Sequence, residues 1–139
     1  MMGHGSSSVS LPKWRKYTVT FNDISIANAV KTQTILALAA KEIVHAAITK
    51  TSTAFAGGTT VALAMTLGVA GAVTKYLTAY ACVTAVSDTQ VLGLGVVNPN
   101  PESYATPTNI IATFTNTGDT NDHLTQGSVD VYVLVSTLP

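Results

Sequence analysis

The sequence predicts an all-β fold: a single-domain antiparallel β-sandwich, jelly-roll-like, of about eight strands. Three observations predict it. Apolar and polar residues alternate with a period of two in several separate runs. Threonine and valine dominate those runs, and turn-forming residues interrupt them at regular intervals. A length of 139 residues fits one domain, and 47% hydrophobic residues supply a core that a disordered chain would lack.

Residues 1–12 are rich in Gly and Ser and lack the apolar stretch of a secretory signal. Residues 1–13 are therefore expected to form a flexible N-terminal arm, and residues 14–139 the sandwich domain. In the first strand, near 14–21, Tyr17, Val19 and Phe21 alternate with Lys16, Thr18 and Thr20. The next two strands are placed at 32–38 and 42–53. A helix competes here, because Thr34 to Lys50 is Ala-rich and Ile35, Leu38, Ala39, Ile43, Ala46 and Ala47 would line one helical face. The β-branched pairs Ile43-Val44 and Ile48-Thr49 favour strand, turn at Ala39 to Lys41, and strand.

A fourth strand, near 59–68, alternates Val61, Leu63, Met65 and Leu67 with Thr60, Ala62, Ala64 and Thr66. The same period speaks against reading the uncharged stretch Thr51 to Thr74 as a membrane-spanning helix. Strands near 73–86 and 90–97 follow, bounded by Ser87-Asp88 and Asn98-Pro99-Asn100-Pro101. In the strand near 108–116, Ile110, Ala112 and Phe114 alternate with Ile111, Thr113 and Thr115. The last strand, near 127–137, sets Val129, Val131, Val133 and Val135 against Asp130, Tyr132, Leu134 and Ser136.

Charge narrows the function. Asp, Glu, Lys and Arg make up only 10% of the chain, and seven basic residues cancel seven acidic ones. A free monomer so weakly charged is poorly protected against self-association, so neighbours are expected to cover much of the surface. The basic residues are scattered from Lys13 to Lys75, and the cluster Lys13, Arg15, Lys16 around Trp14 is too small to track a phosphate backbone. Neither a nucleic-acid nor a membrane partner is expected.

The chemistry-bearing inventory is thin. The histidines are His4, His45 and His123, and no His-x-x-x-His, Cys-x-x-Cys or Gly-x-Ser-x-Gly pattern occurs. No enzyme activity, cofactor or metal is expected, and no catalytic residue is assigned. His45 alternates with Ile43 and Ala47 and reads as a hydrogen-bonded structural histidine. Asp119, Asn121 and Asp122 offer oxygen ligands, but they lack the spacing and distal glutamate of a calcium loop, so an Asx-rich connection is expected. Gly68-Val-Ala-Gly71 has no following Lys and is no phosphate loop. The single Cys82 excludes an intrachain disulfide and reads as a buried thiol. Asn98 to Pro101 with Tyr104 reads as a stiff connection rather than a sugar ledge.

In order, the chain runs through Tyr17-Thr-Val-Thr-Phe21, Thr32-Gln-Thr-Ile-Leu-Ala-Leu38 and Ile43-Val-His-Ala-Ala-Ile-Thr49. It continues through Ala54-Phe55-Ala56-Gly57-Gly58, Leu63-Ala-Met-Thr-Leu-Gly68, Tyr76-Leu77 and Gly127-Ser-Val-Asp-Val-Tyr-Val-Leu-Val135. This succession, over about residues 14–139, resembles small β-sandwich virion structural proteins of tailed bacteriophages, notably head-decoration (cement) and related tail proteins. The resemblance implies a capsid-decorating protein that acts as a homo-oligomer, some members being trimers, with the major capsid protein as partner. It implies a place on the capsid surface of the virion after synthesis in the host cytoplasm. A tail or fibre component contacting the host is the alternative within that class. A carbohydrate-binding sandwich is the rival, with Trp14, Tyr76, Tyr80, Tyr104 or Tyr132 as stacking groups, although aromatics are only 6% of the chain and unclustered. The interface candidates are Trp14, Tyr132 and Leu134, since an aromatic–aliphatic pair facing away from the valine row makes an anchor for a neighbour.

Overall fold

The computed structural model describes residues 11–83, 93–94 and 103–139. Eight strands follow one another: β1 (Lys13–Thr20), β2 (Val30–Leu38), β3 (Glu42–Ala56), β4 (Ala62–Val69), β5 (Ala72–Ala81), β6 (Gly93–Leu94), β7 (Thr108–Thr117) and β8 (Gln126–Thr137). A 3-10 turn, Asn121–His123, precedes β8, and the described residues contain no α-helix. One sheet has the order β1-β8-β3-β6 and the other β2-β7-β4-β5, with every pairing antiparallel. Consecutive strands change sheet at each step except in the β4–β5 hairpin, which is the strand order of an eight-stranded jelly roll.

The valine row of β8 explains why that strand sits centrally. Val129, Val131, Val133 and Val135 are at most 3% exposed, and β8 is paired on both sides, to β1 and β3. The second sheet answers with Ile110, Ala112 and Phe114 of β7 and Leu63, Met65 and Leu67 of β4, all buried. Phe55 of β3 and Phe114 of β7 join the two layers, with ring centroids 6.2 Å apart and tilted by 40°.

The ambiguous stretch Thr34 to Lys50 is strand, turn and strand, as the β-branched pairs indicated. β2 ends at Leu38 and β3 begins at Glu42. Lys41 adopts φ +70°, and Glu42 closes the turn by accepting the Ala39 N–H at 2.7 Å while donating its own N–H to the Ala39 carbonyl at 3.2 Å. Burial of Ile35, Leu38, Val44 and Ala47 between the sheets overrides the helical propensity of the alanines.

Several strand boundaries move, and some of the shifts have a visible cause. β1 starts at Lys13, one residue inside the expected arm. Val61 was expected inside the fourth strand, in one row with Leu63, Met65 and Leu67, but β4 starts at Ala62 and Val61 is 70% exposed. Its N–H is used instead by the Thr117 carbonyl, at 2.9 Å, which holds the chain at the entrance to β4. The expected strand 73–86 ends as β5 at Ala81, because Cys82 turns between the sheets. The Cys82 N–H donates to the Leu63 carbonyl (2.8 Å), and its own carbonyl accepts the Phe55 N–H (3.0 Å). Residues 1–10, Ser87-Asp88, Asn98 to Pro101 and most of the strand expected at 90–97 lie outside the described residues.

Candidate functional site

Residues directly opposite each other in an antiparallel pair share a face. With the β8 valines pointing inward, the outward face of the first sheet can be read row by row. The uppermost row is Trp14 on β1, Leu134 on β8 and Ala46 on β3. The next is Lys16, Tyr132 and Ile48, and the third is Thr18, Asp130 and Lys50. The three interface candidates therefore lie together. Trp14 and Leu134 are cross-strand partners, and Tyr132 sits two residues along the same strand.

Trp14 is 49% exposed, while Leu134, Tyr132, Ala46 and Ile48 are half-buried. The face is thus apolar toward one end and polar toward the other. Asp130 marks the change. The residue is 8% exposed, and its carboxylate accepts the Thr18 hydroxyl at 2.6 Å and lies 3.8 Å from the Lys16 ammonium. Lys16 also stands 5.8 Å from the centroid of the Tyr132 ring. Ala46, Ile48, Lys16 and Asp130 were not among the sequence candidates. Their alternation was visible, but only the strand register shows that they share a face with Leu134.

His45 departs from the expected alternation. A β-bulge between Val44 and Ala46 inserts it as an extra residue, so Val44 and Ala47 both face inward while Ile43 lies opposite outward Ser136. His45 Nε2 is 2.6 Å from Ser136 Oγ, the hydrogen bond expected of a structural histidine. Ser136 is only 2% exposed, so this pair presents no accessible nucleophile.

The Asx-rich loop is a clasp between loops. Asp119 accepts the Thr59 N–H at 2.7 Å and the Thr120 N–H at 2.8 Å, and His123 Nδ1 lies 2.6 Å from its Oδ1. The Thr59 N–H, then His123 and the Thr120 N–H, hold this carboxyl well below the usual carboxylate range. Asp119 and Asp122 in turn push the His123 pKa upward. Each Asp119 oxygen already serves an N–H donor. Among the described residues no group of three or more His, Cys, Asp and Glu is arranged to hold a metal ion. Cys82 is fully buried, and burial pushes its thiol up to about 12.

The other aromatics point elsewhere. Tyr80 Oη accepts the Thr51 N–H at 2.9 Å, and Tyr76 Oη is 2.9 Å from Tyr104 Oη. Their hydroxyls bind other parts of the chain, and only Trp14 and Tyr132 share an outward face. No helix among the described residues is long and apolar enough to cross a membrane.

No known protein family model matches the chain, and no curated protein matches it. Solved phage capsids are among the structures that share its fold. A chain of the capsid asymmetric unit of cyanophage Pam1 is 20% identical with a TM-score of 0.59, over 100% of this chain and 91% of that one. A chain of the acid-stable capsid of Helicobacter pylori bacteriophage KHP30 is 14% identical with a TM-score of 0.60, over 95% of this chain and 91% of that one. Each likeness takes in nearly the whole of both chains. The fold is one found in phage capsids.

Proposed function

We propose that the chain is a virion structural protein that decorates a phage head. It acts as a homo-oligomer on the capsid surface and uses the Trp14–Leu134–Tyr132 face against the major capsid protein or a second copy. The row Trp14, Leu134, Ala46 carries the reading: an outward apolar row across three strands, in a chain with 10% charged residues. The fold shared with capsid chains of nearly the same length supports it. The role is passive. Each added contact favours the assembled head over its dissociated parts by mass action, and many copies act together.

The test is to titrate the purified chain onto phage heads that lack it. Saturable cosedimentation and a raised temperature of DNA release are expected. A chain that stays monomeric at every concentration and leaves the heads unbound would remove this reading. The carbohydrate-binding rival would instead give a glycan-array signal lost in Trp14→Ala.

A further inference from the structure

Among the described residues β1 and β2 are edge strands of the two sheets and run side by side, with Gln33 Nε2 donating to Tyr17 Oη at 3.3 Å across the seam between them. Beside that bridge the seam opens into a slot of about 80 Å³ lined by Arg15, Lys16, Tyr17, Ile35, Leu36 and Val133. The pairing shows which side chains face the seam. Lys13, Arg15 and Tyr17 lie opposite the inward Val135, Val133 and Val131, and Lys31 lies opposite the inward Phe114.

The seam is basic in a neutral protein. Lys13, Arg15 and Lys31 are three of the seven Lys and Arg residues, and neither strand contains an acidic residue. Arg15 is paired with Glu42 and Lys16 with Asp130. Lys13 and Lys31 have no ion-pair partner among the described residues. They bracket the slot. Lys31 is two residues from Gln33 on β2, and Lys13 is four residues from Tyr17 on β1, so they stand about 20 Å apart along the seam at roughly 3.3 Å per residue.

We infer that this seam docks an extended segment of a partner protein, with an aliphatic side chain in the slot and carboxylates near Lys13 and Lys31. The inference rests on the assembly reading above and names the partner's chemistry. Edge strands offer unpaired backbone groups, so such a segment adds as a further strand while the slot and the lysines select its sequence. Charge decides the occupant. Residues 1–12 contain no Asp or Glu, so the chain's own N-terminus does not complement the seam. A second copy's β1 edge would bring Lys13, Arg15 and Lys16 against the same charges.

The probe is a synthetic peptide of alternating Thr and Val with aspartates at each end, acetylated and amidated. Binding is followed by amide chemical shifts and by emission from Trp14, the chain's single tryptophan. Shifts along β1 and β2, binding that fades with salt, and a loss of about tenfold or more in the Lys13→Glu/Lys31→Glu double variant are expected. Circular dichroism of that variant should match the parent, since neither lysine is buried. Equal binding of the peptide with lysines for aspartates, shifts confined to the Trp14–Tyr132 face, self-association in place of peptide binding, or no binding at all would each overturn the inference. Peptide binding without head binding would sink the decoration role and leave the seam. Head binding without peptide binding would do the reverse.

Discussion

Trp14 and Leu134 face each other across β1 and β8 on the outward side of the first sheet, while Val133, the next residue, is 1% exposed in the core. Val133→Asp buries an unpaired carboxylate among valines and should cost roughly 4 kcal/mol or more, enough to abolish the folded circular dichroism spectrum. Leu134→Asp puts the same group on the half-buried face, at about 1 kcal/mol. It should leave the fold intact and weaken oligomerisation or head binding, read by size-exclusion chromatography and cosedimentation. If both variants simply unfold, the outward face is not available for an interface.

Gly127, at the start of β8, lies against the Phe55 ring of the adjacent strand β3. A Cβ on residue 127 would lie 2.2 Å from Phe55 Cδ1, and the residue adopts φ +143°. Gly127→Ala must therefore displace the ring that packs on Phe114, and a loss of roughly 2 kcal/mol or more is expected in urea unfolding. Gly71, in the β4–β5 hairpin, gives the contrast. It adopts φ +83° with open space around it, so Gly71→Ala carries backbone strain alone, about 1 kcal/mol. Equal losses at the two sites would show that the Phe55 contact is not tight.

Much of this fold was legible because strand period and turn chemistry are local signals. The four valines of β8 fixed its inward face, and Ile43-Val44 with Ile48-Thr49 correctly opposed the helix over Thr34 to Lys50. What the sequence hid was register. Leu134 and Trp14 are 120 positions apart, and nothing local says that they meet. The bulge at His45 shows the same limit: one inserted residue flips the parity of β3, turning Ala46 and Ile48 outward and leaving Ala47 inward. Val61 was misjudged because period-2 counting cannot tell the last loop residue from the first strand residue.

Glu42 closes the β2–β3 turn and reaches back to Arg15. Burial opposes its charge, but the Ala39 N–H and the Arg15 guanidinium together hold its pKa below the ordinary value. Glu42→Ala should cost about 2 kcal/mol, because it orphans the Ala39 N–H as well as the guanidinium. Arg15→Ala should cost less, about 1 kcal/mol or under, since that side chain is 42% exposed and water screens the pair. Chemical denaturation ranks them. A larger loss for Arg15→Ala would mean that the ion pair, not the turn, is what Glu42 stabilises.

The Asp119–His123 clasp gives the fold a pH signature. Asp119 has a depressed folded pKa, so its contribution is present above its unfolded value and is lost only as pH falls through the depressed one. His123 has a raised folded pKa, so its contribution is complete below its ordinary 6.5 and is lost as pH rises through the raised value. Both conditions hold together between about pH 5 and pH 6, and the clasp weakens on the alkaline side first. In a proton NMR titration His123 should titrate above 6.5, and Asp119→Asn should bring it back toward that value. The Tm difference between the parent and His123→Gln should be largest near pH 5.5 and shrink as pH rises above the ordinary 6.5 through the raised value. The effect is modest, because the His123 side chain is 58% exposed. A Tm difference that stays constant or grows with pH would show that the neutral imidazole, not the charge pair, holds the loop to Thr59.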